Sequence, residues 1–332
     1  MPVTSRSFAI LSAIQYEMQK NPNMVYSEQC AAPAGARADG KTINILQEFG
    51  VDRILARMGQ VIEEEWMCGS TLFYSFSVNN NGTGIPACVQ TPGMTQMYNF
   101  ELMGDVAGRA AYMMGGCTNW PSPPMVLYQG GASRSNDAVH GQVGTEDAFA
   151  TQPGLVTVAP HKVYDCKGMM HALLEGSRPA YYINYSTESS ADIPDAAYTV
   201  PIGKSAILKE GKDLTIATYG PAHAEVSKAV DELAKAGIAA EYFDVRTLKP
   251  FDDQALTASV KKTGRLLTVS WGYYTQGFGS FMLAVAAQEV PGFKARMISW
   301  SDCPNSGTPA MIAWQKPDSP KIVDAAQKLM KL

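Results

Sequence analysis

The chain has 332 residues, enough for two domains of ordinary size, with 46% hydrophobic and 17% charged residues. Its 27 basic and 31 acidic side chains leave a net charge of −4, which excludes a basic field for nucleic acid. No apolar run reaches the roughly 18 residues of a membrane span and no signal-peptide pattern is present, so a cytoplasmic protein off the membrane is predicted. The six cysteines are scattered without CxxC or zinc spacing and read as reduced core residues, with no metal site of the chain's own.

Residues 5 to 20 carry Phe8, Ile10, Leu11, Ile14 and Met18 at helical spacing. Met24 to Tyr26 reads as a strand that delivers Ser27-Glu28-Gln29. An acid just past a strand's carboxyl end is where open α/β sheets place ligand contacts, and the alternative for Glu28 is a turn or helix cap. A Gly- and Ala-rich loop over 31–40, a helix near 43–49 and a strand over 51–55 follow.

Glu63-Glu64-Glu65 then runs into the apolar segment Thr71 to Val78, and a helix is predicted over 61–78. Acids suit the positive end of a helix dipole, but the turns that follow draw one of them toward the core. There an unpaired carboxyl is costly, and the proton it keeps makes it a useful acid or hydrogen-bond donor. The competing reading is a solvated helix start.

Asn79 to Gly84 is a turn, Ile85 to Val89 a strand, and Tyr98 to Met114 a helix ended by Gly115-Gly116. Pro124 to Tyr128 is a buried strand that empties into a long polar loop, Gln129 to Gly144, holding Arg134, Asn136, Asp137, His140 and Gln142. Long loops after buried strands tend to carry function, while a lone His is as readily structural. A strand over 155–158, a helix over 165–175 and a strand over 180–184 complete a first domain, 1–186, and the polar stretch 187–200 reads as a linker.

The second domain, 201–332, alternates cleanly. Strands at 214–220, 240–245, 265–269 and 294–298 are separated by helices at 222–236, at 253–263 and after a Gly-rich turn over 272–279, which predicts a small parallel sheet. Gly277-Phe278-Gly279 lacks the third glycine and the acid of a dinucleotide fingerprint. No Walker A loop, Gly-x-Ser-x-Gly elbow or His-Glu-x-x-His motif occurs. The fold class predicted from pattern is α/β in two domains.

Several blocks in order carry a family resemblance: Pro153 to Pro160 with Tyr164-Asp165-Cys166-Lys167-Gly168, Glu210 to Gly220, Asp244 to Asp252, and Val260 to Arg265. Over essentially the whole chain the sequence resembles the β subunits of the thiamine-diphosphate-dependent, decarboxylating first component of 2-oxo-acid dehydrogenase complexes, and acetoin dehydrogenase β subunits. The resemblance implies an N-terminal thiamine-pyrimidine-binding domain, with a central parallel sheet flanked by helices, and a C-terminal transketolase-type α/β domain.

The resemblance also assigns roles. Glu64, five residues before Gly69, takes the place of the catalytic acid that hydrogen-bonds the cofactor's pyrimidine, and Glu28 that of a second acid near the same ring. Thr91 and Thr95 occupy ring-facing positions where relatives carry Met or Gln and an aromatic. His140-Gly141-Gln142 is similar to the family's His-Ser-Gln, whose His lines the substrate channel. The Gly-Asp-Gly metal motif is missing, so the resemblance implies an α subunit that holds Mg2+ and the diphosphate in an α2β2 heterotetramer. A lipoyl-bearing acyltransferase is a further partner where such a complex forms.

Two departures stand out. Relatives' acidic start to the Gly-rich turn is replaced by Trp271-Gly272-Tyr273-Tyr274, and Gly176 stands where some relatives use an Asp for a potassium ion. The implied activity is decarboxylation of a 2-oxo acid with acyl transfer. Acetoin-type cleavage, transketolase-like carboligation and a non-catalytic interaction protein on the same fold stay open.

Overall fold

The structure is a computed structural model that describes residues 3–28, 34–56, 87–91, 125–129, 144–184, 187–304 and 306–332. Contacts gather the chain into two units, 1–132 with 148–202, and 133–147 with 203–332.

In chain order the first unit contains β1 (Val3–Ser5), α1 (Arg6–Lys20), β2 (Tyr26–Glu28), β3 (Ala34–Ala36), β4 (Thr42–Asn44), α2 (Ile45–Phe49), β5 (Ile54–Ala56), β6 (Ala87–Thr91) and β7 (Met125–Gln129). After α3 (Thr145–Thr151), whose first turn belongs to the second unit, come β8 (Val156–Val158), α4 (Val163–Leu174), β9 (Ala180–Ile183) and β10 (Ser190–Asp192). Six of these strands form a parallel sheet in the order β8-β9-β7-β6-β2-β5. Strands buried on both faces read as continuous apolar runs, which is why Met125-Val126-Leu127-Tyr128 and Ala180 to Ile183 were recognisable.

Helix α1 starts where the Ser5 hydroxyl accepts from the Phe8 amide at 3.3 Å, and buries Phe8, Ile10, Leu11, Ile14 and Met18. It packs on α4, and across that contact His171 Nδ1 lies 2.7 Å from Glu17 Oε1, both groups buried. The expected strand over 51–55 is shortened at its start. Arg53 turns its guanidinium to the carbonyls of Met18, Asn21 and Met24 at 2.7–3.0 Å, so residues 51–53 form a turn and pairing begins at Ile54. The expected strand at 24–26 likewise sits two residues later, at 26–28.

The Gly-rich stretch over 31–40 holds one arm of a short hairpin, β3 with β4. The polar stretch after residue 187 is also tied down. β10 pairs antiparallel with β1, and Lys167 Nζ donates to the carbonyls of Pro194, Asp195 and Ala196 at 2.8, 2.9 and 3.0 Å. Arg37, stacked over Phe8, pairs with Asp39 and Asp195.

The second unit contains β11 (Ala206–Lys209), β12 (Leu214–Thr218), α5 (His223–Lys235), β13 (Ala240–Asp244), β14 (Thr247–Lys249), α6 (Asp253–Thr263), β15 (Arg265–Tyr273), α7 (Phe278–Glu289), β16 (Lys294–Trp300), α8 (Pro309–Gln315) and α9 (Ser319–Met330). Its sheet has the order β11-β13-β12-β15-β16, with β11 antiparallel and the rest parallel. Leu214, Ile216, Val230, Leu233, Leu267, Trp300, Ile322 and Leu329 form its core. Helix α6 is bounded as its sequence signals: Asp252 caps the Ala255 amide, and Gly264 ends it in the left-handed region at φ 67°.

Strand ends differ from expectation. β12 stops at Thr218 instead of residue 220, and β16 runs on to Trp300 instead of ending at residue 298. The sheet expected to be parallel gains the antiparallel β11. The largest difference is at β15. β15 runs to Tyr273 instead of ending at residue 269, because Ser270-Trp271-Gly272 stays buried and extended. Among the described cysteines Cys166 is buried as expected, while Cys303 is only partly buried and accepts a hydrogen bond from Gln315 Nε2 at 2.9 Å. No described helix is long and apolar enough to cross a membrane.

Candidate functional site

In the first sheet β2 lies between β5 and β6: the chain leaves β2 for one flank, then returns to the other. Where strand order reverses in this way the crossovers diverge, and a crevice opens outside the carboxyl ends of the strands. The register places Ala56, Glu28, Gln90, Tyr128, Tyr182 and Val158 in one row across the sheet. Thr91 stands one residue beyond Gln90, opposite Gln129. Positions 28 and 91 are therefore brought together at the carboxyl edge of adjacent strands, at the switch point. Glu64, Thr95 and His140 lie outside the described residues.

The same edge holds a residue that sequence reasoning missed. Asn184 follows β9, is 3% exposed, and donates from Nδ2 to the Tyr128 hydroxyl at 2.7 Å, while its Oδ1 has no hydrogen-bond partner. Tyr128 meets Tyr182 edge to face at 5.5 Å, which fixes the floor beneath it. The available signal was a polar residue ending an otherwise apolar strand.

A second polar group was not singled out from sequence either, and it lies wholly within the second unit. Glu146 and Asp147 begin α3, and Glu146 is 0% exposed with neither carboxyl oxygen hydrogen-bonded. Asp147 Oδ1 accepts from the Tyr219 hydroxyl at 2.5 Å, and that hydroxyl lies 2.9 Å from Ser270 Oγ. Ser270 Oγ in turn accepts from the Gly272 amide at 3.0 Å. Burial pushes both carboxyls above the usual range; the neighbouring Asp147 charge adds to the effect on Glu146, whereas Tyr219 and the Phe278 amide oppose it on Asp147. Among the described residues no three His, Cys, Asp or Glu side chains gather as a metal centre.

Comparison with known proteins decides the family. Residues 203–322 match the family described as transketolase, C-terminal domain. Over 284 residues the chain is 31% identical to the pyruvate dehydrogenase E1 component subunit beta of Bacillus subtilis, covering 83% of this chain and 82% of that protein. The chain belongs to this β-subunit family.

A second member, the acetoin:2,6-dichlorophenolindophenol oxidoreductase subunit beta of Cupriavidus necator, is 28% identical over 340 residues, 98% of this chain and 97% of its own. Among solved structures, one titled as a split-gene transketolase, inactive β4 tetramer, superposes with a TM-score of 0.72 at 20% identity over 99% of each chain, a likeness of fold. The α/β, transketolase-like architecture expected from the β-subunit resemblance is thus the one observed.

Proposed function

We propose that this chain is the β half of a heteromeric thiamine-diphosphate enzyme that decarboxylates a 2-oxo acid and passes on the acyl group. The observation that carries the reading is the switch-point edge, which sets positions 28 and 91 side by side in a chain of the β-subunit family. A carboxyl and a hydroxyl are residue types that hydrogen-bond a ring nitrogen and an exocyclic amine, so the edge fits an aminopyrimidine. Bound there, thiamine diphosphate supplies the carbanion chemistry.

In this reading Glu64 holds the proton at the pyrimidine nitrogen, Glu28 is a second acid beside the ring, and Thr91 and Thr95 form its small polar walls. His140 lines the path of substrate and acyl acceptor. The pyrimidine-binding domain covers 1–186, a linker 187–200, and the C-terminal domain 201–332, a division supported by a family match that begins at residue 203. Mg2+ and the diphosphate fall to an α subunit in an α2β2 assembly, with a lipoyl-bearing acyltransferase as the acceptor's carrier, in the cytoplasm.

Acetoin-type cleavage is the second reading, favoured by a relative that spans 98% of this chain. The test is to assemble the chain with the polypeptide that co-purifies with it and assay a panel of 2-oxo acids, acyloins and sugar phosphates. Turnover of a 2-oxo acid is the expected result. Turnover confined to an acyloin or a sugar phosphate moves the enzyme to the other chemistry, and turnover of none overturns the proposal.

A further inference from the structure

Glu146 and Asp147 are an expensive arrangement. Glu146 is sealed from water, and both its carboxyl oxygens go unpartnered. Asp147 is half-buried with its Oδ2 sealed and unpartnered, and two ionised acids side by side repel. Perturbed acids of this kind concentrate at functional sites.

Three contacts seat residues 144–147 on the second unit's sheet. The first is close backbone approach: a Cβ on Gly144 would lie 2.6 Å from the Gly272 Cα. The second is a niche that exists because two residues lack side chains. A Cβ on Gly272 would sit 1.7 Å from Asp147 Oδ2, and one on Gly277 3.0 Å from it. The third is the Tyr219 hydroxyl on Asp147 Oδ1, itself fixed by Ser270. Helix α7 has 12 residues, and Gly277 caps it without a side chain, so Asp147 supplies the anion that its first turn lacks.

We propose that Asp147, held by Tyr219, is a positioning residue of the reaction: it seats the chain that directly follows the His140 loop on the end of β15 and the start of α7. The proposal rests on the reading of His140 as a channel-lining group. Three residues separate His140 from Gly144, so the chain length alone ties the two positions within about 14 Å of each other. Glu146 makes the seat tolerable by keeping a proton, which removes the like charge beside Asp147. Among the described residues, the ionisable groups that act on Asp147 are Glu146 and Tyr219.

The test uses the assembled enzyme and Tyr219→Phe, which deletes one hydroxyl, with Asp147→Asn as the second variant should the first lose its fold. Hydrogen exchange read by mass spectrometry is expected to speed up at least about 10-fold in peptides covering 140–150, while peptides over β12 stay unchanged. The kcat is expected to fall by about 10- to 100-fold with KM for the 2-oxo acid within about 2-fold, the signature of lost alignment. Glu146→Gln, which imposes the neutral state, is expected to raise the melting temperature at pH 8 and leave it unchanged at pH 5. The sign follows from burial: a carboxyl whose pKa is raised by folding contributes stability at low pH that is lost as pH rises through the folded value.

Unchanged exchange over 140–150 overturns the proposal, whatever the kinetics. So does faster exchange with unaltered kcat. The exchange measurement needs no turnover, so it still reads the seat if the site assignment fails. That assignment falls separately, if Glu64→Gln retains activity.

Discussion

Glu64→Gln in the assembled enzyme is expected to lower turnover by about 10²- to 10⁴-fold while thiamine diphosphate still binds. The amide keeps the size and one acceptor of the carboxyl but cannot carry or release its proton. A group that merely filled space would tolerate the exchange, whereas one that holds a proton at the pyrimidine nitrogen would not. The sequence supplies the motive for such a group. Three acids at 63–65 lead into an apolar segment at 71–78, and the family pattern selects the middle one by its distance from Gly69. Steady-state assays with parallel cofactor titration separate loss of chemistry from loss of binding. Turnover within about 2-fold of the parent would place the proton elsewhere.

Lys167→Met is expected to destabilise the first unit by about 3 kcal/mol, read as a lower midpoint in urea with an unchanged slope. The Lys167 side chain is 3% exposed and its ammonium donates to three backbone carbonyls, those of Pro194, Asp195 and Ala196. The Tyr198 ring lies 5.2 Å away. Burial lowers the Lys167 pKa, and Asp195 opposes that effect. Methionine can occupy the volume, but it leaves three carbonyls without a donor in a place water reaches poorly. The stretch 194–196 would then lose what fastens it to α4. A cost under about 1 kcal/mol would mean that water replaces the ammonium without penalty.

How much of this was legible in the sequence depended on whether the signal was local. The alternating core of the second unit could be read from local signals: Asp252 before α6 and Gly264 after it are such instructions, and so are the apolar runs of β12, β13 and β15. The antiparallel edge strand β11, the short β14 and helices α8 and α9 were not legible. The short edge pairs β1 with β10 and β3 with β4 were not. Each is three residues of mixed burial whose partner lies far along the chain or in a stretch rich in Gly and Ala, and neither carries a period. Arg53 was misread for a related reason. Its β-rich surroundings suggest a strand, and only the three carbonyls around its guanidinium explain the turn.

The site divides in the same way. Glu28 could be singled out as an acid at the end of a strand, whereas Thr91 needed a family pattern to be noticed. Their adjacency needed the sheet order. Asp147 offered no sequence signal because its partner Tyr219 lies 72 residues away, and its niche is made by glycines that sequence reading assigns to a turn.

The most direct test of a shared site is calorimetric titration of thiamine diphosphate with Mg2+ into this chain alone and into the assembled pair. Saturable heat is predicted for the pair only, because the proposed division gives the ring to this chain and the metal and diphosphate to the partner. Saturable, Mg2+-dependent binding to this chain by itself would contradict a divided site.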